Sequence, residues 1–117
     1  MKNLLIVDDE DIILEMLVEF FNIKGFNVYS APSEELAKQV FDNNAQSIDV
    51  VILDMLLKNS TSDDLFYYMK QKSPDLKIFI SSGLSREDCD PDIASSAHNF
   101  VKKPYIMEDL YNMIQKC

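Results

Sequence analysis

Five residues of this 117-residue chain are of types that do chemistry together: Asp8, Asp9, Asp54, Ser82 and Lys103. Each stands at the end of a short apolar run. Asp8 and Asp9 follow Leu4-Leu5-Ile6-Val7, and Asp54 follows Val50-Val51-Ile52-Leu53. Ser82 closes the stretch that starts at Leu76, and Lys103 comes just after Phe100-Val101. Three carboxylates gathered in one small site repel one another and cannot all stay ionised without a partner. A divalent cation resolves that conflict, and hard oxygen ligands favour Mg²⁺, which keeps several waters and takes few carboxylates. Mg²⁺ in turn brings phosphate. Lys103 is then a point charge for phosphate oxygens, the Ser82 hydroxyl donates to another, and Asp54 can act as a carboxylate nucleophile towards phosphorus. The product of that chemistry is an aspartyl-phosphate.

The elements that must bring these residues together can be read from periodicity. Val50 to Leu53 is too short for a buried helix and, with three β-branched residues in four, suits a strand covered on both faces. In an open parallel sheet, ligands bind at the carboxyl ends of the strands. Asn3 to Val7 predicts a first strand. Ile12, Ile13, Met16, Leu17 and Phe20 then predict the buried stripe of a helix that stops at Gly25, with acidic residues at its positive end. Phe26 to Ser30 alternates like an edge strand. Ser33 opens a second helix with Leu36, Ala37, Val40 and Phe41 inward, ended by Asn43-Asn44. After Asp54 a polar, turn-like segment runs from Lys58 to Asp64, then a helix with Leu65, Phe66 and Met69 inward closes near Ser73-Pro74.

Leu76 to Ile80 predicts a fourth strand leading into Ser81-Ser82-Gly83, and His98 to Val101 a brief fifth one. Between them, Pro91 at a first helical position with Asp90 as cap predicts a short helix. Ile106, Leu110, Met113 and Ile114 stripe the last helix. Strand and helix alternate five times, the pattern of a doubly wound α/β domain with a five-stranded parallel sheet.

The bulk numbers narrow the function. A chain of this length is expected to be one domain, residues 1–117. A net charge of −9 repels a phosphate backbone, which argues against direct nucleic-acid binding. Cys89 and Cys117 show no pairing or metal-ligand spacing and read as reduced thiols in a cytoplasmic protein. No run has membrane-spanning length, and the start of the chain is not a signal peptide.

Taken singly, each candidate has a plainer explanation. A strand-end Asp54 is commonly a capping or loop carboxylate, Glu10 and Asp11 start a helix, and Ser82-Gly83 is a turn. Lys102 should point to the opposite side of its strand from Lys103, His98 reads as solvated, and Phe100 as core.

The combination, in order along the whole chain, resembles the receiver domain of two-component response regulators. It rests on Asp8-Asp9-Glu10, Asp54, Ser82-Gly83 and Lys103-Pro104, each after an apolar strand. The resemblance implies a flavodoxin-like (βα)5 fold with strand order 2-1-3-4-5. It implies that Asp54 accepts a phosphoryl group from a histidine kinase or phosphotransfer protein. Asp9 and Asp54 would be direct Mg²⁺ ligands, Asp8 a water-mediated one, and the Leu56 carbonyl the remaining ligand. Ser82 would reorient onto the phosphate, Lys103 would bind it, and Phe100 would change rotamer on activation. The signal would pass to a downstream protein or a fused output domain, and a homodimer on phosphorylation is within the same pattern. The chain would be a stand-alone receiver or part of a longer regulator. The alternative is a pseudo-receiver, an interaction module that works without phosphorylation. Two departures stand out: Leu57-Lys58 and Thr61-Ser62 replace the family's usual Met-Pro and Asp-Gly. Leu56 and Leu84 would flank the path of an attacking water, and both are apolar, which predicts slow hydrolysis of the phosphoryl group.

Overall fold

The runs Leu4–Val7 and Val50–Leu53 are apolar on both faces because helices cover both sides of the sheet they form. The computed structural model describes residues 2–44, 46–54, 56–57, 60–61, 63–82, 97, 99–102 and 107–116; for 56–57, 60–61, 82, 99 and 102 it describes the backbone. In chain order the elements are β1 (Asn3–Val7), α1 (Asp11–Ile23), β2 (Asn27–Ala31), α2 (Glu34–Asn44) and β3 (Val50–Asp54). There follow β4 (Leu56–Leu57), β5 (Ser60–Thr61), α3 (Asp63–Lys72), β6 (Lys77–Ser82), β7 (Asn99–Lys102) and α4 (Met107–Gln115).

Five strands form one parallel sheet in the order β2-β1-β3-β6-β7. Counted along the chain these are strands 2-1-3-4-5, the expected doubly wound topology. Alternate residues feed two cores. Leu5, Val7, Val51, Leu53, Ile78 and Ile80 pack with Phe41 of α2 and Phe66 and Met69 of α3. Leu4, Ile6, Val50, Ile52 and Phe79 pack with Leu17 and Phe21 of α1 and Leu110 and Ile114 of α4. Leu65, Phe66 and Met69 are buried, as the periodicity of α3 predicts.

The buried stripe of α1 differs from the expected one. It is Leu14, Leu17 and Phe21, whereas Ile12 and Met16 are 75% and 51% exposed. Both spacings are helical, and the apolar content of α1 exceeds what one face can bury, so periodicity alone did not fix the rotation of the helix. Leu36 of α2 is likewise exposed, leaving Ala37 and Phe41 as its buried positions. The segment after Asp54 is not simply a turn: Leu56 pairs with Thr61 and Leu57 with Ser60 in a small antiparallel ladder. The predicted helix near Asp90-Pro91, together with His98 and Ile106, lies outside the described residues.

Chain reversals are set locally. Gly25, at φ 91°, ends α1: Phe26 N–H donates to the Phe21 carbonyl at 3.0 Å and Gly25 N–H to that of Asn22 at 3.1 Å. This is a Schellman termination, which needs the left-handed conformation glycine adopts without strain. Ser33 caps α2 by accepting from Leu36 N–H at 3.2 Å. A surface cluster joins α2 to α3: the Tyr68 hydroxyl donates to Asp42 at 2.6 Å, and Lys72 reaches the same carboxylate at 3.1 Å while lying over the Tyr68 ring. The hydrogen bond from Tyr68, and then that from Lys72, holds the Asp42 carboxyl below its usual range.

Two outcomes follow. Leu17→Ala should cost about 2–5 kcal/mol in denaturant unfolding and Met16→Ala less than about 1 kcal/mol, whereas the expected stripe, which holds both residues, would make both substitutions costly. Because the folded-state pKa of Asp42 is depressed, its contribution is present above the unfolded-state value of 3.8 and is lost as pH falls through the folded value. The unfolding midpoint of Asp42→Asn should therefore fall below wild type at neutral pH and converge with it in acid.

Candidate functional site

Side-chain alternation decides which face of the sheet carries the polar groups. On β3, Val50 and Ile52 face the α1/α4 core, so Asp54 continues that series. On β1, Leu4 and Ile6 do the same, and Asp8 follows them with its N–H still donating to Ala31 O at 3.2 Å, prolonging the ladder. Both carboxylates sit at the carboxyl end of the sheet, and both are almost fully buried: Asp8 is 1% and Asp54 3% exposed.

The chain then turns into α1. Glu10 N–H donates to Asp8 Oδ1 at 2.9 Å, the short-range loop that an Asp side chain forms with the backbone two residues on. This bond fixes the Asp8 carboxylate and folds Glu10 back over it. As a result, carboxylate oxygens of Asp8, Glu10 and Asp54 all lie within 4.8 Å of one another. Asp9, half-buried between Asp8 and Glu10, is not in that group.

Three carboxylates so close, two of them buried, are a costly arrangement for a protein to hold by itself. Their oxygens are the donor set that a hard divalent cation takes, so the residues present fit Mg²⁺. Glu10, which the sequence pattern assigns to helix initiation, thus joins the cluster while also preceding the first turn of α1.

The other expected site residues are placed as follows. Ser82 closes β6 in register with Lys102, and its side chain lies outside the described residues. Lys103, Pro104 and Leu84 also lie outside them. Leu56 stands two residues beyond Asp54, held by its pairing with Thr61. Phe100 is half-buried and packs against the α2/α3 core. Ser81, which sequence periodicity did not single out, is fully buried and stands in register with Asp54. Counting residues across the two strands would have revealed it only once the register was known.

The family model described as "Response regulator receiver domain" matches residues 4–115. The chain belongs to the response regulator receiver family. Relatives agree with that membership. It is similar to a cyclic di-GMP phosphodiesterase of Thermotoga maritima, 29% identical over 105 residues, covering 89% of this chain and 27% of that protein. It is also similar to the response regulator SaeR of Staphylococcus aureus, 28% identical over 111 residues, covering 94% of this chain and 47% of that protein. The chain therefore spans about a quarter to about half the length of these relatives. Among solved structures, the response regulator protein TrrA of Thermotoga maritima, in complex with Mg(2+)-BeF, superposes with a TM-score of 0.86 at 28% identity. That match covers 99% of this receiver and 98% of that chain. TrrA has also been solved in complex with the histidine kinase ThkA.

The geometry of this receiver predicts a cation-dependent stability. Saturating Mg²⁺ should raise the melting temperature of the wild-type protein, by about 2.7 kcal/mol of stabilisation at a hundredfold excess over Kd. Asp54→Asn should melt at or above the wild-type temperature without Mg²⁺, because a like charge is removed, and should lose most of the Mg²⁺ response. Differential scanning calorimetry with and without the ion measures both.

Proposed function

We propose that this chain is a phosphoryl-accepting signalling switch in which Asp54 takes the phosphoryl group with Mg²⁺ bound beside it. The observation that carries this proposal is the convergence of the Asp8, Glu10 and Asp54 carboxylates within 4.8 Å at the end of the central strand β3. Asp8, Asp9 and Asp54, with the Leu56 carbonyl, would hold the ion, which supplies charge neutralisation to an incoming phosphoryl group. Glu10, at the rim of the cluster, would meet the ion through its water shell.

The chain's own residues do the rest. Asp54, almost fully buried and fixed on a strand between β1 and β6, would present a carboxylate oxygen to the donor. That oxygen attacks the phosphorus of a phosphohistidine or an acyl phosphate. The new bond is from the Asp54 oxygen to phosphorus, and the bond that breaks joins phosphorus to the imidazole nitrogen or the acyl oxygen of the donor. The imidazole leaves by taking up a proton, or the carboxylate leaves as an anion. Lys103 would bind the phosphoryl oxygens, Ser82 would donate its hydroxyl to one, and Phe100 would shift with them to carry the change to the surface.

A histidine kinase is the donor class this reading requires, as the TrrA–ThkA pairing supports. Ile12 and Met16, exposed on α1 within two turns of Glu10, offer such a protein an apolar contact beside the carboxylates. The output would be a protein partner or a fused domain, and the site of action the cytoplasm.

Intact-mass measurement after incubation with acetyl phosphate tests the proposal. The wild-type protein should gain one phosphoryl group when Mg²⁺ is present and none in EDTA, and Asp54→Asn should gain none. A mass gain that survives Asp54→Asn contradicts the assignment, and no gain in wild type with Mg²⁺ favours a pseudo-receiver.

A further inference from the structure

Asp8, Asp54 and Ser81 are the buried polar residues among those described, and they fall in one row across the sheet. Val7 is in register with Leu53, so the next residues, Asp8 and Asp54, are neighbours across the β1–β3 edge. Asp54 is in register with Ser81 across the β3–β6 edge. Phe79 of β6 faces the α1/α4 core, and Ser81, two residues on, continues that face. Asp54 continues the same face from Val50 and Ile52. The Asp54 carboxylate is therefore flanked by Asp8 on one side and by the Ser81 hydroxyl on the other, with neighbouring strands about 4.8 Å apart.

The position is unusual chemically. Ile78 and Ile80 before it and Val101 opposite it, in register on β7, are apolar, and Ser81 has no exposed surface at all. A hydroxyl at such a place is kept only with a hydrogen-bond partner, since burying it otherwise is destabilising. A carboxylate is a stronger acceptor than any neutral group in reach, and a hydroxyl donating to it limits the rotation of the acid.

We infer that Ser81 is a positioning residue for phosphoryl transfer, its hydroxyl holding the Asp54 carboxylate so that one oxygen faces the donor. This rests on the proposed role of Asp54 and adds a residue to it. Ser81 is distinct from the neighbouring Ser82, whose proposed role is towards the phosphate. Ser81 acts on the acid, before any phosphoryl group arrives.

The experiment is the rate of phosphorylation by acetyl phosphate at saturating Mg²⁺ in wild type, Ser81→Ala and Ser81→Thr, read by intact mass, with Mg²⁺ half-saturation measured in parallel. Ser81→Ala should lower the maximal rate about tenfold, as the loss of a hydrogen bond to a charged group does. Its half-saturating Mg²⁺ should stay within about twofold of wild type, because the proposed ligands Asp8, Asp9 and Asp54 all remain. Ser81→Thr, which keeps the hydroxyl, should restore most of the rate. An undiminished rate in Ser81→Ala overturns the inference. So does a Ser81→Thr protein as slow as Ser81→Ala, which would assign the effect to packing. If wild type itself takes up no phosphoryl group, the receiver function proposed above fails, and this role with it.

Discussion

Repulsion between carboxylates governs this structure. Asp8 and Asp54 are nearly inaccessible to water, and Glu10 leans over them, with oxygens of all three within 4.8 Å. Left to themselves, groups of like charge would rotate or move apart. They cannot do so here, because Asp54 ends the central strand of a sheet paired on both sides, and Asp8 is held by the Glu10 N–H and by the continuing ladder to Ala31. The stability of two apolar cores is thus used to keep an electrostatically unfavourable site assembled. Such a site binds a cation readily because its cost falls when the charge arrives.

The two cores divide the work. Residues of β1, β3 and β6 facing α1 and α4 lead, at their carboxyl ends, into Asp8, Asp54 and Ser81. Residues facing the other way pack on α2 and α3, together with Phe100 of β7. The polar row therefore belongs to one face and the aromatic of β7 to the other.

Most of the fold was legible in the sequence because buried parallel strands leave an unmistakable apolar run with an abrupt polar end. Three such runs, with the alternating edge strand Phe26–Ser30 and the brief strand His98–Val101, separated by helical periodicity, point to the topology, and chain order indicates which carboxylates meet. Rotation of α1 was less legible, since Ile12, Ile13, Leu14, Met16, Leu17, Val18, Phe20 and Phe21 supply more apolar residues than one face can use. The pairing of Leu56–Leu57 with Ser60–Thr61 was hidden for a different reason: two-residue strands carry no periodicity. That Glu10, legible as a helix-starting residue, joins the cluster, and that Ser81 stands beside Asp54, depend on a local side-chain-to-backbone bond and on strand register, neither of which residue type alone reveals.

These carboxylates are proposed to form a single cation site around Asp54. Crystals of the protein soaked in Mn²⁺, an anomalous scatterer that takes the same oxygen ligands as Mg²⁺, locate the ion directly. One strong anomalous peak is expected, bounded by the Asp8 and Asp54 carboxylates at the end of β3 and absent from Asp54→Asn crystals. A peak elsewhere on the acidic surface, or none at this strand end, would contradict it.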